Sequence, residues 1–334
     1  LMYSENPNPG EVINAYETYY HNNPFVKNTH TQYYKRCLRA FSRDKSSDLN
    51  SKERNIELKK FEKSYLEKSI NLANSKSPNS NWETIGPVDF DKGAAGTSYA
   101  AGAGHIYTIE QSMQNDSVLY CGTATSGVWK SVNKGENWEL VTRNVLVNEV
   151  VALEINPYND NTVYFGGGNK LYKTYNGGST WNVIGDATFN SEEHYIPEIK
   201  IHPNDSTLVF ICSNKGFFRS DDEGLNFTEI MDGDFQEMEF NPTNPNVIYT
   251  IKQIGNATQL FKSSDNGLSF TQIITGWPVP AAEDEQKRTE LATTSANPAK
   301  VYALCTGEAN GGTGLYGIYV SNDFWERDYL YINQ

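Results

Sequence analysis

Histidine and cysteine are the side chains most often used for metal binding and nucleophilic catalysis, and their spacing in this chain favours neither. The histidines show no metal-ligand spacing, and no two cysteines form a Cys-x-x-Cys pair. We therefore predict no metal or other cofactor, and reduced cysteines that serve as small buried apolar side chains. The residues are His21, His30, His105, His194 and His202, and Cys37, Cys121, Cys212 and Cys305.

Carboxylates could support two other kinds of chemistry. Glycoside hydrolysis needs two positioned carboxyl groups, and calcium binding needs several oxygen ligands. The acidic runs at residues 192–193 and 283–285 lie in polar, loop-like sequence. This context favours solvated surface, with a weak calcium-binding loop as the alternative.

Asp and Asn also recur in an octapeptide that reads Ser/Thr-x-Asp/Asn-x-Gly-x-x-Trp/Phe, with copies beginning at residues 131, 174, 220 and 263. An Asp or Asn side chain can accept hydrogen bonds from the N–H groups of its own turn. Glycine permits a positive φ, and the aromatic ring buries a large apolar area. We therefore predict structural hairpin clamps, formed by Ser131, Asn133, Gly135 and Trp138; Thr174, Asn176, Gly178 and Trp181; Ser220, Asp222, Gly224 and Phe227; and Ser263, Asp265, Gly267 and Phe270.

The elements that position these octapeptides repeat with them. Short apolar strands precede each copy and another follows, which makes four strands every 43–46 residues, the size of a propeller blade. The prediction is a mainly β fold, a β-propeller with about five four-stranded blades. A fifth, irregular unit has strands at Arg288–Thr294, Val301–Cys305 and Tyr316–Val320, with an insert at Gly307–Leu315. Asn81–Pro87 resembles a fourth strand that could close the ring; the alternative is the leading part of a longer propeller.

The N-terminal region differs in both pattern and charge. Helical spacing predicts short α-helices at Glu11–Tyr20, Thr31–Arg43 and Arg54–Asn74. Residues 1–80 carry a net charge of +4 and residues 81–334 carry −17. The shift predicts a helical segment over 1–74, a linker over 75–81 and the propeller over 82–334.

The composition excludes several partners. A net charge of −13 disfavours nucleic acid, because phosphate binding needs clustered Lys and Arg. No apolar run reaches the roughly 20 residues that span a bilayer, so we expect a chain that does not span a membrane. No signal peptide is visible in the chain.

The octapeptide resembles the Asp-box, or BNR repeat, of sialidases, xyloglucan-active glycosidases and sortilin-like receptor domains. Sialidases hold the substrate carboxylate with three arginines, but the propeller region has only Arg143, Arg219, Arg288 and Arg327. Xyloglucanase-like enzymes carry a catalytic Asp at a position that Ala124 fills here. The resemblance therefore implies the fold without a catalytic residue, and we expect a protein that is not an enzyme.

The helical opening followed by Trp82–Pro87 and sortilin-like blades is similar to a group of Bacteroidota proteins exported by type IX secretion. This resemblance implies an extracellular or cell-surface location. It also implies O-glycosylation at Ser117 and Ser206, in the tripeptides Asp-Ser-Val and Asp-Ser-Thr.

Together these features predict a non-catalytic secreted or surface propeller that acts as a binding or scaffold module. Its partner would be a protein or glycan at the propeller face, or a secretion or surface complex that docks on the N-terminal helices. The alternative is a divergent glycoside hydrolase that uses carboxylates on the channel face. That alternative requires two acids about 5–10 Å apart in the central depression.

Overall fold

The computed structural model describes residues 9–23, 105–147, 149–189, 194–309, 312–321 and 329–332. Apart from His105, they belong to one compact unit. Helix α1 (Pro9–Asn22) forms where the sequence predicted Glu11–Tyr20. The other two predicted helices, the linker and the start of the predicted propeller domain lie outside the described residues.

The described strands form five four-stranded antiparallel sheets, so the prediction of a mainly β propeller with about five blades is confirmed. Each blade runs through its strands in chain order. The first blade contains β1 (Ile106–Gln111), β2 (Leu119–Thr123), β3 (Val128–Ser131) and β4 (Glu139–Leu140). The second contains β5 (Ala152–Ile155), β6 (Val163–Gly167), β7 (Lys170–Thr174) and β8 (Asn182–Ile184), followed by the short helix α2 (Asp186–Phe189). The third contains β9 (Glu198–Ile201), β10 (Val209–Ser213), β11 (Gly216–Ser220) and β12 (Thr228–Asp232). The fourth contains β13 (Asp234–Phe240), β14 (Ile248–Ile254), β15 (Ala257–Ser263) and β16 (Thr271–Ile273), and the fifth β17 (Glu285–Thr293), β18 (Val301–Ala309), β19 (Gly312–Ser321) and β20 (Tyr329–Ile332).

The core lies between successive sheets. The central strands β6 and β10 are buried along their whole length, which explains why their sequences are continuous apolar runs rather than alternating ones. Apolar clusters fill each junction from the first and second blades to the fourth and fifth. The inner strands β1, β5, β9, β13 and β17 lie side by side in that order around a central channel.

The fifth blade differs from its prediction in two respects. Strand β20 supplies the fourth strand, the place proposed for Asn81–Pro87, which lies outside the described residues. The supposed insert Gly307–Leu315 is instead a continuation of the hairpin, because β18 and β19 stay paired as far as Ala309 and Gly312. A bulge after Cys305 absorbs the irregularity and keeps the two strands in register.

Among the described residues, no helix is long and apolar enough to cross a lipid bilayer. Cys121, Cys212 and Cys305 are free and buried, and each lies on the second strand of its blade, as predicted. Burial raises the pKa of the Cys121 and Cys305 thiols to about 11. Cys37 lies outside the described residues.

Candidate functional site

The inner strands carry charged residues at corresponding positions. In the first four blades, a glutamate or lysine of the inner strand stands opposite an aromatic residue of the second strand: Glu110 opposite Tyr120, Glu154 opposite Tyr164, Lys200 opposite Phe210 and Glu239 opposite Tyr249. Two residues earlier in their strands, Glu198, Glu237 and Glu290 form a second level. All five blades therefore contribute at least one glutamate to the channel.

Lys200 is the cation around which these carboxylates gather. Its Nζ lies 3.4 Å from Glu198 Oε1 and 3.7 Å from Glu239 Oε1. Because both oxygens contact the same nitrogen, they lie no more than about 7 Å apart. Burial opposes the charge on Lys200, but Glu198, Glu239 and Glu154 outweigh it and raise its pKa well above the ordinary value.

Two of the carboxyl groups near Lys200 change ionisation close to neutral pH. Glu154 Oε1 accepts a hydrogen bond of 3.1 Å from the Ile201 N–H, and burial raises the pKa of Glu154 to about 8 although Lys200 lowers it. Burial likewise raises the pKa of Glu198 to about 7 against the lowering effect of Lys200. Near pH 7 the channel can thus gain negative charge by releasing protons.

Glu237 and Glu290 form a second pair. Glu237 is only 5% exposed, and burial together with the charges of Glu198 and Glu290 raises its pKa to about 10. Its side chain is hydrogen-bonded to Glu290, which also forms an ion pair with Arg288. A pKa of about 10 favours the protonated form of Glu237 at pH 7, and that form can donate a hydrogen bond to the Glu290 side chain.

One end of the channel presents residues from all five blades near the start of their inner strands. One of them is Tyr195, and the others act electrostatically on its hydroxyl group. Burial raises the pKa of Tyr195, Arg288 lowers it, and Glu149, Tyr107 and Asp234 raise it. Glu149 adopts a φ of +57°, a left-handed conformation that is uncommon outside glycine. Tyr107 and Tyr195 are 49% and 40% exposed, so both rings are accessible. We call this set the channel mouth; it consists of Tyr107, Glu149, Tyr195, Asp234 and Arg288.

The predicted hairpin residues lie between the third and fourth strands, away from the inner strands. In each copy the Ser or Thr hydroxyl donates to the Asp or Asn Oδ1 and accepts from the glycine N–H. In the third copy, for example, Ser220 Oγ lies 2.8 Å from Asp222 Oδ1 and 2.9 Å from the Gly224 nitrogen. The Asp or Asn also accepts from the N–H two residues beyond that glycine, as Asp265 does from Ser269 at 3.0 Å. The bonds of the other copies follow the same scheme.

Three of the four aromatic residues of the hairpins pack toward neighbouring blades, and Trp138 lies beside Gly135 of its own hairpin. Trp181 is 7% exposed in the cluster between the first and second blades, and its Nε1 donates to the Val141 carbonyl at 3.0 Å. Phe227 and Phe270 are partly buried against their clusters. These contacts serve the turn and the packing, and none of them involves the channel residues.

The remaining sequence-predicted residues lie elsewhere. Ser117 and Ser206 are half-buried in turns between the first and second strands of their blades, and their modification stays a prediction. Glu283 is exposed and Glu285 begins β17, where it pairs with Lys287 at 3.1 Å. Residues 192–193 lie outside the described residues.

Comparison with known proteins shows the fold. No protein-family model matches the chain, and no curated protein matches it. Solved structures that are similar include an ancestral GH74 enzyme, with a TM-score of 0.54, 18% identity, and coverage of 69% of this chain and 31% of that one. The Niastella koreensis GH74 enzyme has a TM-score of 0.53 and 20% identity over 70% of this chain and 37% of that one. The Xanthomonas campestris GH74 xyloglucanase has a TM-score of 0.54 and 13% identity over 68% and 38%.

This chain spans only about a third of the length of those solved chains. At such low identity the likeness establishes the propeller fold and nothing finer.

Sequence reasoning missed the channel glutamates, because none of them forms a recognisable catalytic or binding motif within its own strand. A signal was nevertheless present. Aligning the repeats on the turn after the inner strand places Glu154, Lys200 and Glu239 two residues before Asn156, His202 and Asn241. A charged residue at a repeated, otherwise apolar strand position indicates a channel lining.

Proposed function

We propose that this protein is a non-catalytic propeller that binds a basic segment of another protein at its central channel. The observation that carries the proposal is the convergence of six glutamates on a channel that holds only two cations among the described residues, Lys200 and Arg288. An acidic channel walled by protein attracts cations more strongly than an exposed acidic surface does.

The channel mouth suits the same ligand. Exposed tyrosine rings attract an ammonium or guanidinium group through the negative face of the ring. Below Tyr107 and Tyr195, the carboxyl groups of Glu198 and Glu239 can accept hydrogen bonds from such a group. Since the pKa values of Glu154 and Glu198 are about 8 and about 7, an entering cation would displace their protons at neutral pH.

The test uses a fluorescein-labelled peptide of alternating Gly and Arg, with a Gly and Glu peptide of equal length as the control ligand. We expect the basic peptide alone to bind, and the double variant Glu110→Gln, Glu239→Gln to weaken binding at least about tenfold, since hydrogen bonds to charged groups are worth roughly 1.5–3 kcal/mol. Glu136→Gln, an exposed acid in the first hairpin, is the matched control. Failure of the basic peptide to bind, or equal loss in both variants, would overturn the proposal.

A glycoside hydrolase is the second candidate, and one observation favours it. The carboxyl oxygens of Glu198 and Glu239 lie no more than about 7 Å apart, against the roughly 5–9.5 Å that glycosidases use, and Glu198 has the raised pKa of a general acid. Lys200 stands between the two oxygens, however, where the reacting bond would have to lie. Turnover of xyloglucan or aryl glycosides that Glu198→Gln abolishes would establish this candidate in place of binding.

We also propose that the protein acts outside the cell or on its surface, as the resemblance to type IX secretion cargo implies. Fractionation of the native host with an antibody would test this, and a purely cytoplasmic pool would contradict it. Mass spectrometry of the native protein would show whether Ser117 and Ser206 carry glycans.

A further inference from the structure

In the first three blades, the residue before the hairpin connects its blade to the next one. Lys130 Nζ donates to the Gly177 carbonyl at 3.1 Å, from the first blade to the second. Lys173 Nζ donates to the Glu223 carbonyl at 2.8 Å, and Arg219 Nε to the Asn266 carbonyl at 2.9 Å, across the next two junctions. We call each of these contacts a latch.

The acceptors of the latches have a common geometry. Gly177, Glu223 and Asn266 all occupy the fourth position of their hairpins, with φ of +66°, +59° and +59°. Lys134 occupies the same position in the first blade, with φ of +58°. Its carbonyl receives no hydrogen bond from the described part of the chain.

The fifth blade has no side-chain donor at the strand position from which the other latches reach the next hairpin. The latch residues stand opposite the aromatic residue of the second strand, as Lys173 stands opposite Tyr164. In the fifth blade the residue opposite Tyr302 is Val320, which has no donor in its side chain. Within the described residues, the junction from the fifth blade to the first therefore has no latch of this kind.

The exposure of one residue on the first blade is a second, independent indication that the junction with the fifth blade differs from the others. Ile109 of β1 is 55% exposed. Its counterparts, the residues before the channel position in the other inner strands, are all 6% exposed or less and pack on the preceding blade. They are Leu153, Ile199, Met238 and Leu291.

The fifth blade has an apolar face on the side of this junction that is also incompletely buried. Tyr302 is half-buried, and Leu304 on the same face is 40% exposed. The aromatic residues that correspond to Tyr302 in the other blades are fully buried. They are Tyr120, Tyr164, Phe210 and Tyr249.

We infer that the fifth and first blades form an unlatched junction at which the propeller opens and closes. In the closed form, the apolar face of the fifth blade covers the exposed apolar face of the first. Both faces belong to blades whose inner strands border the same channel, since β1 contributes Tyr107 and β17 contributes Arg288 to the channel mouth. The four packed junctions show which surfaces match, because in each one the face beside the aromatic residue covers the apolar residue of the next inner strand.

The cysteines provide native probes of this opening. Cys121 pairs with Ile109 and Trp129 on the face at the unlatched junction. Cys212 lies in the cluster of the latched junction between the third and fourth blades, and Cys305 in the packed cluster between the fourth and fifth blades. We expect iodoacetamide to label Cys121 at least about tenfold faster than the other two in the folded protein, because local opening needs no global unfolding. Mass spectrometry of the peptides reads each site separately.

The decisive variant is Val320→Lys, which supplies the missing latch donor, with Val320→Met as the control of similar length. We expect Val320→Lys to slow labelling of Cys121 several-fold while Val320→Met leaves it unchanged. Equal labelling of the three cysteines in the native protein, or equal rates in the two variants when both fold by circular dichroism, would overturn the inference.

A second pair of variants tests the inference if Val320→Lys fails to fold. Ile109→Ser should leave the thermal midpoint nearly unchanged and speed labelling of Cys121, whereas Leu153→Ser at a latched junction should lower the midpoint sharply. Similar losses at the two sites would contradict an open junction. Concentration-dependent oligomers that Ile109→Ser abolishes would show a second copy as the occupant and would overturn the intramolecular closure.

Discussion

At the scale of single residues, the channel acids share one physical condition. Burial raises the pKa values of Glu154, Glu198 and Glu237, so the folded state holds protons that the unfolded chain releases. The stability that comes from these groups is fully present below their unfolded pKa of about 4.5. It decreases as the pH rises toward the folded values of about 7 to 10.

Glu237→Gln tests this linkage. Glutamine mimics the protonated acid and can still donate to Glu290, so we expect the variant to be about 1–3 kcal/mol more stable than the native protein at pH 8 and to differ little at pH 4.5. Urea unfolding between pH 4.5 and 8.5 measures the difference. Glu136→Gln, which changes an exposed acid, should run parallel to the native protein. A native stability that rises across this pH range would show that these carboxyls are ionised in the fold.

At the scale of elements, the first three hairpins have two separate tasks. The Ser or Thr and the Asp or Asn close the turn, and the cation before the hairpin donates to the following blade. Lys173 shows the second task most clearly. It is fully buried, lies 4.8 Å from the Tyr164 ring centroid and 4.3 Å from that of Tyr175, and donates to Glu223.

Lys173→Met should therefore destabilise the protein by about 1.5–3 kcal/mol, the usual worth of a hydrogen bond to a charged group. Chemical denaturation measures the loss. Lys134→Met removes an exposed lysine whose ion pair with Asp116 is solvated on both sides, and it should have no measurable effect. Equal losses in the two variants would argue that the latch contributes little to joining the blades.

At the scale of the whole molecule, five inner strands bring isolated acids together around one axis. This arrangement couples ligand binding to both salt and protons. A basic peptide must compete with salt ions for the carboxylates, and it must displace the protons of Glu154 and Glu198.

We expect the affinity for the Gly and Arg peptide to fall with added salt and to rise between pH 6 and pH 9, by up to about tenfold per pH unit for each proton released. Fluorescence anisotropy over a grid of salt concentration and pH measures both effects. In Glu154→Gln the pH dependence should be shallower. An affinity that depends on salt but not on pH would place the peptide on the exposed acidic surface instead of in the channel.

The repeat alone determined the blade architecture, because the hairpin residues act locally. A turn-closing Asp and a glycine at positive φ are required wherever the third and fourth strands join, so the period of the octapeptide is the period of the blades. Apart from β1, the strands of the first four blades were predicted for a similar reason, since short apolar runs between such turns have few alternatives. The first strand, β1, was missed, because no earlier octapeptide marks its start.

Only the tertiary structure decided the channel and the junctions. Glu110, Glu154, Glu198, Glu237 and Glu290 are far apart in the chain, and each is unremarkable in its own strand. The raised pKa values of Glu110, Glu154, Glu198 and Glu237 arise from burial and from neighbours on other blades, which no local pattern encodes. The same holds for Ile109 and Leu153, which the sequence presents as equivalent: one is exposed and the other buried, because a face packs only where another blade covers it.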